Sequence, residues 1–245
     1  MLAIRQKVPV KYRKRLKIWR ARIAEGLGFK RYSYPALNNL DRKMDELLPD
    51  SGVFLEIGAN DGYTQSNTYF LERLRNWDGI LIEPVPWLYE LCTKTRPRSR
   101  CYNFACTAPR LTGQPIEMLD LDLTSVSLGQ QAHDSEARRT LATGRIVSVE
   151  SATLSSLIDR SGFTHIDYMS VDVEGAELTM LTGLDLERHT PTWLLVETAN
   201  SAEVEDRLAP YMKLYAQLSH HDYLFYCSRS LSEVSRKVER VRHEK

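Results

Sequence analysis

From residue 11 to 27 the apolar side chains Tyr12, Leu16, Trp19, Ile23 and Leu27 recur at steps of four, three, four and four, which lines them along one face of a helix. Lys and Arg fill most of the other faces. Residues 36–48 repeat the helical spacing through Leu37, Leu40, Met44, Leu47 and Leu48, and Pro49 closes the run. Then the period changes. Residues 53–57 form a short apolar strand that runs into GANDG, and Phe70, Leu71 and Leu74 give residues 67–76 helical periodicity. Strand 79–83, helix 87–95 and strand 101–106 follow, then strand 166–172, helix 174–182 and strand 193–197. Strands over 212–218 and 223–227, joined by the turn SHHD, close the series as a hairpin.

Strands alternating with helices predict an α/β fold, a mostly parallel sheet covered on both faces with an antiparallel edge, and ligands at the carboxyl ends of the strands. Residues 107–153 lack a clear helix and contain the alternating stretches PIEMLDLD and RIVSVE, which predict a hairpin-like insertion over the active face. The organisation expected is a helical extension over 1–50, a main domain over 51–228 carrying that insertion, and a charged tail over 229–245.

Charge follows the same divisions. Residues 1–43 carry thirteen basic and two acidic side chains, residues 44–228 fourteen and twenty-seven, and residues 229–245 six and three. The net +1 is therefore the balance of a basic head, an acidic body and a mildly basic tail. A chain of 245 residues that is 42% hydrophobic and 27% charged can bury one sizeable core, which excludes collagen-like, disordered and disulfide-scaffold classes. Cys92, Cys101, Cys106 and Cys227 form no CxxC pair and no zinc-finger spacing, so reduced thiols in a cytoplasmic setting are expected. No apolar run approaches the roughly 20 residues of a membrane span, and no signal-peptide core opens the chain.

The chemistry concentrates at the predicted strand ends. FLEIGANDG places Glu56 at the end of the first strand, with Gly58 and Gly62 in the turn that follows. Glycines there admit close approach of a ligand, and Glu56 can accept hydrogen bonds from an amino group. The GxGxxG spacing of a dinucleotide site is absent, and the pattern suits S-adenosylmethionine, which is cationic and carries no phosphate. Glu83 ends the second strand, where a carboxylate can accept both ribose hydroxyls. Asp172, Glu174 and Glu197 end the fourth and fifth strands, where carboxylates can take a proton, position a hydroxyl or hold a divalent metal. A helix-capping role competes at Glu174 and Glu177.

FLEIGANDG, SNTYFLE, WDGILIEPVP, NFAC, SVDVEGAEL and WLLVET, in this order, resemble the FkbM family of S-adenosylmethionine-dependent methyltransferases. The resemblance runs over residues 52–197, with weaker support through YLFYC, and implies a Rossmann-like class I fold with a seven-stranded sheet. It implies O-methylation of a hydroxyl on a sugar, a glycan or a polyketide-type small molecule. By the same resemblance Glu56, Gly58, Asn60 and Gly62 face the methionine end of the cofactor, and Asp61 and Pro84 also belong to the cofactor-binding set. Glu83 is implied beside its ribose, and Asn103 and Cys106 near its adenine. Asp172, Glu174 and Glu197 fall at the methyl-transfer end. Ser170 stands where many members of the family have lysine.

Two versions of the chemistry follow from these residues. In one, Asp172 or Glu174 removes the acceptor's proton while Glu197 orients the acceptor; in the other, Asp172 and Glu197 hold magnesium, which lowers the hydroxyl's pKa. His133, His220 and His221 read as exposed bystanders. For the basic head three partners compete: the body or a second subunit, docked through Leu16, Trp19 and Ile23; an anionic membrane at its inner face, met by residues 1–31; and nucleic acid, which would make the protein an RNA methyltransferase or a binding module. Arg110, Arg138, Arg139 and Arg145 in the insertion are expected to shape the acceptor pocket.

Overall fold

The structure is a computed structural model that describes residues 9–120, 126–127, 145–173 and 175–228. His133, Arg138, Arg139, Glu174 and the predicted tail lie outside the described residues. Helix α1 (Val10–Gly26) and helix α2 (Leu40–Leu47), separated by two short 3-10 turns, precede the sheet. The main sheet is built from β1 (Val53–Ile57), β2 (Asp78–Ile82), β3 (Arg100–Tyr102), β8 (Tyr168–Val171), β9 (Trp193–Glu197), β10 (Met212–Gln217) and β11 (Asp222–Cys227). Their spatial order is β10-β11-β9-β8-β1-β2-β3. The five strands β3, β2, β1, β8 and β9 run parallel, and β11 and β10 close that side antiparallel. This is the seven-stranded Rossmann-like sheet expected, with its hairpin at the edge. A register shift between Leu214 and Ala216 interrupts β10.

Alternation along the strands loads both faces, as a sheet covered by helices requires. Leu55, Ile57, Ile80, Ile82, Met169, Val171, Leu194 and Val196 pack on one side with α5 (Leu154–Ser161), α6 (Glu177–Thr182) and α8 (Ser201–Leu208). Phe54, Leu81, Tyr168 and Leu195 pack on the other with α2, α3 (Tyr69–Leu74) and α4 (Pro86–Thr95). The short helix α7 (Leu186–His189) leads into β9. The helices at 154–161, 186–189 and 201–208 have no counterpart in the sequence reading. They are short, and Ser, Asp and Arg between their few apolar positions blur the period.

The strand predicted over 101–106 is two strands. After β3 the Asn103 side chain donates to the carbonyls of Glu83 and Pro84 at 2.8 and 2.7 Å, and β4 (Ala105–Cys106) leaves the main sheet for a second one. There β7 (Arg145–Ala152) pairs parallel with β4 and antiparallel with β5 (Pro115–Asp120), which carries β6 (Val126–Ser127) beyond it. Both alternating stretches of the predicted insertion are thus strands, paired over the ends of β1 and β2.

Helix α1 docks on the body by the face opposite to the one expected. Ile18 and Ala21 are buried against Tyr63, Tyr69 and Leu91, whereas Leu16, Trp19 and Ile23 are exposed. The physical reason is polar. The sequence 14-18-21-25 lines one stripe, in which Lys14 and Glu25 carry specific partners: Glu25 takes Ser33 Oγ at 2.9 Å and Arg73, and Arg22 beside it donates to the carbonyls of Lys94 and Thr95. The helix therefore spends several of its charges on the body and turns its larger apolar residues outward.

Candidate active site

The carboxyl ends of β1, β2 and β8 open into a crevice of about 700 Å³, roofed by the second sheet. Its floor is set by backbone. Gly58 follows β1 with φ +83°, and a Cβ at that position would lie 1.9 Å from the carbonyl oxygen of Asp172, so only glycine lets the turn pass the end of β8. The Gly58 and Ala59 amides donate to the Ile82 carbonyl at 3.0 and 3.1 Å, fastening the turn across the end of β2. Gly62, φ +77°, sits against Arg96 and Cys92, where a Cβ would meet the Arg96 side chain at 2.8 Å.

Loop 60–68 is held from within by carboxylates. Asp61 is fully buried and accepts from the Tyr63 and Thr64 amides at 3.0 and 2.6 Å. Glu56 accepts from the Asn67 amide at 2.7 Å, Ser66 Oγ at 2.8 Å and Thr68 Oγ1 at 2.6 Å. Beneath it lies Arg96, which is wholly buried and pairs with Glu72 at 2.9 Å and Glu56 at 3.8 Å. Its guanidinium also donates to the Gly62 and Thr68 carbonyls and lies over the Phe54 ring. A buried ion cluster of this kind holds geometry more than it adds stability.

Glu83 is buried at the end of β2. One carboxylate oxygen accepts the Asn60 amide at 2.7 Å and the other the Val85 amide at 2.9 Å. Burial nevertheless pushes its pKa up to about 7, against those amides and the nearby Lys14, which pull it down. From α1, Lys14 reaches Asn60 Oδ1 at 2.8 Å and Asp61 at 3.3 Å. Cys106 lines the opposite wall, where burial pushes its thiol up to about 12 and keeps it neutral.

A methyltransferase FkbM domain profile matches residues 56–225, the stretch that carries the whole crevice. The chain belongs to the FkbM methyltransferase family. No curated protein sequence matches it. Among solved structures it is similar to the methyltransferase FkbM of Methylobacillus flagellatus KT, with 14% identity over 72% of this chain and 44% of that one and a TM-score of 0.44. A TehB-like SAM-dependent methyltransferase of Corynebacterium glutamicum matches with 10% identity over 84% and 97% and a TM-score of 0.46. TrmK of M. capricolum, solved with S-adenosyl-homocysteine, matches with 9% identity over 76% and 65% and a TM-score of 0.40. The chain thus spans less than half of the first of these and just under two thirds of the last.

Within this FkbM domain the residues singled out from sequence separate into two groups. Glu56, Gly58, Asn60, Glu83, Pro84, Cys106 and Asp172 line the crevice. Asp61, Gly62 and Asn103 stand behind that lining and hold it in shape, by the hydrogen bonds and the close packing given above. Pairing of Val171 with Val196 sets Asp172 and Glu197 at neighbouring strand ends, yet only Asp172 lines the crevice, and Glu197 is exposed. Among the described residues no group of three His, Cys, Asp or Glu could hold a metal ion. Glu177 opens α6 and accepts from the Gly175 amide, in the turn before the helix, at 2.7 Å. His220 and His221 are exposed in the turn before β11. Ser170 is buried and accepts from Asn67 Nδ2 at 3.1 Å.

Sequence reasoning missed Lys14, Asn67 and Arg96. Lys14 shares a stripe with Ile18, Ala21 and Glu25, a signal outweighed by the larger residues opposite. Nothing local distinguishes Arg96 from any basic residue at a helix end. Asn67 lines the crevice, and its Oδ1 is buried without a hydrogen-bond partner among the described residues, so a donor on a bound ligand would satisfy it.

Proposed function

We propose that the protein is an S-adenosylmethionine-dependent O-methyltransferase acting on a hydroxyl of a sugar, a glycan or a glycosylated or polyketide-type small molecule. The observation that supports this best is the division of one crevice between buried acceptor groups at β1 and β2 and a half-buried carboxylate, Asp172, at β8. The residues present fit the cofactor. Asn67 Oδ1 and Glu56 would take its amino group, the remaining lone pairs of Glu83 its ribose hydroxyls, and Ile82, Leu88 and Phe104 its adenine. When bound, the cofactor supplies an electrophilic methyl group on a sulfonium.

The chain's own tasks are to position the acceptor oxygen, to remove its proton and to keep water out. Among the described residues the carboxylates that line the crevice are Glu56 and Glu83, buried at the ends of β1 and β2, Glu117, exposed on β5, and Asp172, half-buried at the end of β8. In this reading Asp172 accepts the hydroxyl proton, and Ile116 and Met118 of the second sheet, with Arg110 in the turn before β5, enclose the acceptor. No step is assigned to Glu197. The test is transfer of a labelled methyl group to panels of nucleotide sugars, glycolipids and small glycosides. Transfer to a hydroxyl is expected in at least one; transfer to a nitrogen or carbon in every substrate that reacts would overturn the assignment.

A further inference from the structure

Helix α1 carries an apolar face that the fold does not use. At 100° per residue, Tyr12, Leu16, Trp19, Ile23 and Leu27 fall within an arc of about 80°. That arc points away from the body: Tyr12 is 61% exposed, Trp19 60% and Leu27 71%, with Phe29 continuing the patch. Arg15 flanks it on one side and Arg13 and Arg20 on the other, all three exposed. A shallow groove of about 400 Å³ runs along it between Trp19, Ile23, Leu27 and Phe29, edged by Arg20 and Arg31. Soluble surfaces seldom gather so many large apolar groups without a partner.

We propose that this face lies on an anionic membrane, with Leu16, Trp19, Ile23 and Leu27 in the headgroup boundary and Arg13, Arg15, Arg20 and Arg31 against lipid phosphates. Among the described residues no helix is long and apolar enough to cross a membrane, so the contact is peripheral. The charge pattern selects this occupant. Two copies of the helix packed stripe to stripe would bring the arginine borders of one against those of the other, and like charges at close range oppose such a dimer. Nucleic acid would place phosphates against the centre of the face, where the side chains are apolar, not basic. A bilayer of mixed lipids offers apolar contact in the middle of the stripe and anions along both borders. The docking leaves one wall of the crevice close by: the inner face of the same helix holds Asn60, which lines the crevice, through Lys14, about a helix diameter, roughly 10 Å, away.

The test is co-sedimentation of the full chain with sucrose-loaded vesicles of phosphatidylcholine, with and without phosphatidylglycerol. Binding is expected only where phosphatidylglycerol is present, and to weaken as salt rises. R13Q/R15Q/R20Q should weaken it on the order of 100-fold, at about a factor of five for each basic residue near the surface. L16S/W19S/I23S should abolish it, and because every substituted side chain is exposed, thermal melting of both variants should match the parent. Equal sedimentation with and without phosphatidylglycerol would overturn the proposal. So would undiminished binding by L16S/W19S/I23S, a dimer in light scattering that this variant dissociates, or tight RNA binding that R13Q/R15Q/R20Q removes. None of these readouts depends on methyl transfer.

Discussion

The two ends of the crevice are built in opposite ways. At the β1–β2 end, residues 56–68 form one continuous segment whose carboxylates are occupied by its own amides and hydroxyls and by two buried cations, Lys14 and Arg96. At the β8 end the wall is assembled from Cys106, Arg110, Ile116, Met118, Asp172 and Ala176, drawn from both sheets and from distant parts of the chain. The first end is pre-organised by hydrogen bonds and the second by packing. On the proposed function, exchanging strands β4 to β7 would change the acceptor end and leave the cofactor end as it is.

That contrast can be broken most sharply at Asp172. Asp172→Asn should lower turnover roughly 10²- to 10⁴-fold, the usual range for a general base, while leaving the cofactor Kd unchanged. Normal turnover in this variant would remove Asp172 from the mechanism. Arg96→Met attacks the other end through stability: it leaves Glu56 and Glu72 buried without their cation and should cost about 3–5 kcal/mol in urea unfolding. A loss below about 1 kcal/mol would show that the ion cluster is relaxed in solution.

Lys14→Met should be milder, weakening cofactor binding roughly tenfold as Asn60 and Asp61 lose a charged donor, with kcat little changed. An unaltered Kd would mean that α1 does not support the loop. The gentlest probe is pH. Because Glu83 is raised in the folded protein to about 7, the stability it contributes is complete below the ordinary carboxylate range and is lost as pH rises through about 7. Cofactor affinity should move the other way, rising over the same window as the carboxylate ionises to accept ribose hydroxyls. Glu83→Gln should flatten both slopes, and Lys14→Met should shift the midpoint upward. Parallel slopes for stability and affinity would contradict the ribose role.

The first end was legible because its information is local. A strand ending in Glu56 and a turn needing glycine at 58 and 62 announce themselves within a few residues, as does Glu83 after GILI. The mostly parallel sheet and its edge hairpin followed from strand-helix alternation and the turn SHHD, whereas the spatial order of the strands came only with the structure. The second end was only outlined. Its strands showed in PIEMLDLD and RIVSVE, but the break at Asn103 depends on two carbonyls some twenty residues earlier, and no local pattern encodes that. Periodicity also found helix α1 but did not show which face packs on the body, since it ranks side chains by size and polarity and cannot see that Lys14 has a buried carboxylate waiting for it. Glu197 shows the same limit: strand register put it beside Asp172, and register does not decide which side chain lines the crevice.

The interruption between Leu214 and Ala216 bears on what the sheet can do with other sheets. β10 is one outer strand, and its irregular register and exposed Lys213 spoil the even row of amides and carbonyls that an incoming strand would copy. At the other margin β3 offers only three residues, too short a template for the same purpose. Edge-to-edge polymerisation is therefore discouraged at both margins, and the main sheet can keep its buried parallel strands without seeding aggregates.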